Sequence, residues 1–110
     1  MAGPDTRMVS DANFKAEVLD SKEPVLVDFF ATWCGPCSAM APALEQVASE
    51  MKGKVKVAKL DVDQSPLTTQ QFRIQAMPTL MIFKGGKPVA QHVGAMVQKK
   101  KLEDWVKSSI

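Results

Sequence analysis

Val25-Leu26-Val27-Asp28-Phe29-Phe30-Ala31-Thr32-Trp33-Cys34-Gly35-Pro36-Cys37 carries the reading of this chain. Val25 to Phe30 is a nearly unbroken apolar run, the pattern of a strand buried on both faces of a partly parallel sheet. It is expected to be the central strand. Beyond the cysteines, Met40, Leu44, Val47 and Met51 recur at intervals of four, three and four, marking one face of a helix that ends near Gly53. Pro42 lies inside that helix and predicts a kink rather than a break, because the apolar face continues past it.

On either side of this segment the pattern changes. Ser10 is placed to cap a short first helix carrying Phe14, Val18 and Leu19, closed by Lys22, Glu23 and Pro24. Val55 to Val62 reads as a second strand. Ser65-Pro66 offers an N-cap followed by proline at the first helical position, so Leu67 to Phe72 is expected to be helical. Thr79 to Phe83 and Val89 to Val93, joined across Gly85-Gly86, read as an antiparallel hairpin. A last helix turns Leu102, Trp105, Val106 and Ile110 inward. Residues 1–9 form an N-terminal segment, with an edge strand as one option, and residues 10–110 form the domain. The order helix, strand, helix, strand, helix, strand, strand, helix specifies an α/β fold: a central mixed sheet of four to five strands with helices on both faces.

With 110 residues and 45% apolar content, the chain suits one domain with a core of its own. Fourteen Lys and Arg against twelve Asp and Glu give a net charge of +2, too small an excess to suggest nucleic-acid binding. No apolar run reaches 18 residues, so no membrane span is expected. Pro4 and Asp5 stand where a secretory leader needs an apolar stretch, which makes the cytoplasm the expected location. No nucleotide-binding fingerprint occurs, so no bound cofactor is expected.

Cysteines three apart at the start of a helix share neighbouring parts of one face, and their sulfurs can close into a small ring with little backbone movement. At the helix tip, unpaired N–H groups and the positive end of the dipole favour a thiolate at Cys34, which makes Cys34 the expected nucleophile. Cys37, one turn further in, is expected to be less exposed and to resolve the mixed disulfide. Pro36 suits an early helical position and stiffens the turn. Half of a zinc site has the same spacing, but His92 is the only histidine and there is no second cysteine pair, so no metal is expected. Ser38 stands where haem attachment requires histidine.

These residues resemble the thioredoxin family. Val25 to Pro42, with Asp28, Ala31, Trp33-Cys34-Gly35-Pro36-Cys37 and Pro42, is similar to that family's active-site strand and helix. Lys59, Asp63, Pro66, Met77-Pro78-Thr79, Gly85 and Val93-Gly94 continue the likeness over roughly residues 10–108. The resemblance implies a thioredoxin-like fold and a protein thiol-disulfide oxidoreductase, with a Cys34–Cys37 disulfide in the oxidised state and Gly35 and Pro36 tuning the redox pair. It implies that Asp28 accepts the proton of Cys37 with Lys59 beside it, and that Pro78 is a cis-proline. Trp33, Met77, Pro78 and Gly94, with Gly35 and Pro36, would form the surface that meets the substrate.

By the same likeness, the partners are disulfide-containing target proteins and an NADPH-dependent flavoprotein thioredoxin reductase. From the residues alone, Asp28 reads equally as a carboxylate reaching solvent at a strand end, and Pro78 as an ordinary trans proline opening a strand. A disulfide oxidase or isomerase, or a binding subunit without catalysis, remains open on the same scaffold. Two positions depart from the family pattern: Phe30 in place of tryptophan, and Ser38 in place of a basic residue. Lys99-Lys100-Lys101 reads as a solvated face, with an acidic partner as the alternative.

Overall fold

A computed structural model of the chain describes residues 2–110. Five strands, β1 (Thr6–Val9), β2 (Val25–Phe30), β3 (Lys56–Asp61), β4 (Thr79–Lys84) and β5 (Lys87–Val93), form one sheet in the order β1-β3-β2-β4-β5. β1 and β2 run parallel to β3; β4 is antiparallel to β2, and β5 to β4. Every residue of β2 is buried, as its apolar run predicts, and β2 holds the centre of the sheet.

Helices cover both faces. α1 (Gly35–Glu50) and α3 (Lys99–Ser109) lie on one, where Met40, Leu44, Val47, Leu102 and Val106 pack with Leu26, Val57, Leu80 and Ile82. Fully burying a side chain of this size contributes about 1.5–3 kcal/mol. On the other face Phe14, Val18 and Phe72 close over Val25, Val27, Phe29 and Phe83. The rings of Phe14, Phe72 and Phe83 meet there with centroids 5.1–5.5 Å apart. α1 runs unbroken through Pro42. Pro42 and Ser38, one turn back, are both exposed, so the hydrogen bond that Pro42 cannot make is missing on the solvent side of the helix.

Four local expectations change. The first helix shrinks to one π-helical turn, Lys15–Leu19. Ser10 does not cap it; its N–H donates to Asn13 Oδ1 and its carbonyl accepts from Asn13 and Phe14, building a turn ahead of the helix. Ser65 does precede α2 (Pro66–Gln71), yet its hydroxyl accepts from Asp11 N–H instead of capping the helix. The cap is Asp11 itself, whose carboxylate accepts from the N–H groups of Leu67 and Thr68 at 3.2 and 2.8 Å. Trp105 and Ile110 are only half-buried, while Leu102 and Val106 are fully inside. In the β4–β5 hairpin Gly85 and Gly86 both take left-handed backbone angles, φ of 62° and 81°, as a two-residue turn of this hand demands.

Candidate active site

Period-two alternation along β2 sends Val25, Val27 and Phe29 to one face, and Leu26 and Asp28 to the other, beneath α1. β2 ends at Phe30, a turn closes with Cys34 N–H donating to Ala31 O, and α1 begins at Gly35 with Cys34 as its N-cap. Cys34 and Cys37 are joined by a disulfide, their Cα atoms 5.3 Å apart. The N–H of Cys37, one of the donors a helix start leaves unpaired, donates to Cys34 Sγ at 3.2 Å. The expected difference in exposure is absent: both cysteines are 6% exposed. What separates them is place, since Cys34 is the N-cap, where the Cys37 N–H reaches its sulfur, and Cys37 lies inside the helix.

Cys34 Sγ also lies 3.5 Å from the carbonyl oxygen of Met77. The Met77–Pro78 peptide is cis, and Pro78 O accepts from Gly94 N–H at 2.9 Å. The structure therefore gathers Met77, Pro78 and Gly94 around the disulfide from segments far apart in the chain. Gly35 and Pro36 are exposed beside it. Trp33 is 67% exposed, with its indole N–H donating to Asp63 Oδ2 at 2.9 Å. Asp63 as the anchor of Trp33 was not legible in the sequence, because the two residues stand 30 positions apart.

Behind the disulfide, a cavity of about 340 Å³ is lined by Asp28, Lys59, Phe30 and Cys37. Asp28 is 1% exposed, and its Oδ1 accepts no hydrogen bond among the described residues. Burial pushes its carboxyl up to about 6, and the charge of Lys59 restrains the rise. Asp28 and Lys59 stand side by side on the parallel strands β2 and β3. The Lys59 ammonium sits 5.0 Å from the centroid of the Phe30 ring, so Phe30 forms part of this wall. Among the described residues no group of three His, Cys, Asp or Glu is placed to hold a metal ion.

The family model described as Thioredoxin matches residues 5–108. The chain belongs to the thioredoxin family. A thioredoxin of Synechocystis sp. is 55% identical over 91 residues, covering 83% of this chain and 85% of its own. A thioredoxin of Rickettsia felis is 45% identical over 102 residues, 93% and 96% of the two chains. A bifunctional thioredoxin reductase/thioredoxin of Mycobacterium leprae is 51% identical over 96 residues, which span 87% of this chain and 21% of that longer protein. Together with the Cys34–Cys37 pair, this makes the protein a thiol-disulfide oxidoreductase that reduces disulfides in target proteins by dithiol-disulfide exchange. No helix among the described residues is long and apolar enough to cross a membrane.

Proposed function

We propose that the electron pair leaves through Cys34 and that Asp28 handles the proton. In the reduced protein, the Cys34 thiolate attacks one sulfur of the target disulfide, and the other target sulfur departs and takes up a proton. Cys37 then gives its proton to Asp28 and attacks Cys34 Sγ, forming the internal disulfide and releasing the second target sulfur as a thiolate that water protonates. Two electrons pass to the target, and the protein is oxidised by the same two. The Cys37 N–H, already aimed at Cys34 Sγ, supports the Cys34 anion before it attacks the target.

The observation that carries this reading is the cavity shared by Asp28, Lys59 and Cys37. A carboxyl poised near 6 is mostly ionised at neutral pH and ready to accept a proton, yet basic enough to hold one briefly. A cavity of this size admits water to bridge the groups. Lys59 supports Asp28 by stabilising its charge, while Gly35 and Pro36 shape the turn that fixes the pair. Trp33, Met77, Pro78 and Gly94 form the docking surface, on which the Met77 backbone offers hydrogen bonds to an extended target segment. The Gly-Pro dipeptide favours the reducing direction, in keeping with the family resemblance.

A flavoprotein thioredoxin reductase drawing on NADPH would recharge the dithiol, a reading supported by the Mycobacterium leprae relative, whose name joins the two activities in one chain. The protein then acts as an electron carrier, and the cytoplasm, where thiols are kept reduced, is the compartment that suits it. Acceleration of insulin precipitation by dithiothreitol tests the reductase activity, and titration of the pair against glutathione tests its direction. An oxidising potential would make the protein an oxidase.

A further inference from the structure

A second hollow, about 390 Å³, opens immediately after Gly94, lined by His92, Ala95, Met96, Val97, Gln98 and Lys101. Its walls are mostly apolar, and among the described residues no carboxylate lines it. Val93 and Val97, 57% and 54% exposed, extend the apolar surface on both sides of Gly94. The loop that builds it is held at two points: Gly94 N–H donates to Pro78 O, and Met96 N–H donates to the buried Met40 Sδ at 3.4 Å. One anchor is the strand that carries the cis-proline, and the other is the helix that carries the cysteines.

The lysine run differs residue by residue. Lys99 pairs with Glu50 at 2.6 Å and Glu103 at 3.3 Å, and Lys100 pairs with Asp104 at 3.2 Å. Lys101, at the rim of the hollow, makes no ion pair among the described residues. Two of the three charges are thus neutralised within α3 and its neighbour α1, and the third is left beside an apolar depression next to the redox site.

We infer that this hollow reads the target chain beyond its cysteine, taking an apolar side chain followed by an acidic one that meets Lys101. The inference rests on the reading that targets lie against Met77 and Gly94. From Cys34 through Met77, Pro78 and Gly94 to the hollow is on the order of 10–15 Å, or about four residues of extended target chain. Apolar burial supplies the anchor, and the unpaired ammonium adds a preference that salt weakens.

The test uses short peptides whose single cysteine is capped as a mixed disulfide with 2-mercaptoethanol. Leucine is placed four positions from the cysteine, on either side in separate peptides, and is followed by Asp or by Lys. The prereduced full-length protein is mixed with each peptide and the rate of peptide thiol release is followed, with hydroxyethyl disulfide as a small neutral control. In at least one orientation, the Asp peptide should react about threefold faster than the Lys peptide at low salt, the size expected of one exposed ion pair. Lys101→Glu should reverse that order, and replacing the peptide leucine by alanine should slow the reaction about tenfold. The control rate should be unchanged in Lys101→Glu. Equal rates for the Asp and Lys peptides in both orientations, or a preference that survives Lys101→Glu, would overturn the inference while leaving the reductase reading intact. Failure to reduce even hydroxyethyl disulfide would overturn both.

Discussion

Asp28 and Lys59 stand opposite each other on adjacent parallel strands, both buried, and the carboxylate still has an oxygen with no hydrogen bond among the described residues. The lysine only partly offsets the cost of burying that charge.

That cost sets a pH dependence. The folded-state pKa of Asp28, about 6, exceeds its ordinary value of 3.8, so between these values the folded state binds more protons than the unfolded one. Stability therefore falls as pH rises from about 4 to 6 and stays lower above, by about 2–3 kcal/mol. Asp28→Asn should restore about that much at pH 8 and almost none near pH 4 in urea unfolding, while slowing release of the reduced target. A stability gain equal at both pH values would show that the charge is not the cause. Lys59→Met should move the Asp28 midpoint, read by carboxyl carbon NMR, above about 6.

The two cysteines should behave differently when separated. Cys34→Ser should abolish turnover, whereas Cys37→Ser should accumulate a stable mixed disulfide with the target, visible by mass spectrometry. In the reduced protein, iodoacetamide should modify Cys34 at neutral pH faster than an unstructured thiol. Equal rates would remove the physical basis for assigning Cys34 as nucleophile.

Asp11 caps α2 from more than 50 positions away. Burial raises its carboxyl, but hydrogen bonds from the Thr68 hydroxyl and from the Thr68 and Leu67 N–H groups outweigh this and lower it overall. A lowered folded pKa gives stability that is present above the unfolded value of 3.8 and lost as pH falls through the folded one. Asp11→Ala should lower Tm at pH 7, and the difference from the parent protein should shrink as pH drops below about 4. An unchanged Tm at pH 7 would argue that the cap is not needed.

Arg73, just past α2, holds a left-handed φ of 55° that a side chain disfavours. Glycine removes that strain but adds freedom to the unfolded chain, leaving a net gain of about 0.5–1 kcal/mol for Arg73→Gly. Chemical denaturation measures it, and a loss of stability would mean that the arginine side chain makes contacts worth more than the strain.

Local pattern in the amino-acid sequence was enough for the frame of the molecule. An apolar run too long to alternate had to be a central strand, and apolar residues at helical intervals had to pack α1 onto it. Two cysteines three apart at that junction had to lie within bonding reach, and paired glycines between strands had to turn left-handed. Each depends on neighbours a few residues apart, where backbone geometry leaves few choices.

Long-range packing settled the rest. Asp11 in place of Ser65 as the cap of α2, the equal burial of Cys34 and Cys37, and the indole of Trp33 on Asp63 all depend on how distant segments meet. So does the separation of Lys101 from its two neutralised neighbours. The buried charge of Asp28 belongs here too: a lone acid in an apolar strand reads equally as one that reaches water. The family resemblance had already suggested it as a proton acceptor, but its burial and the cavity it shares with Cys37 exist only because α1 lies over β2 and β3.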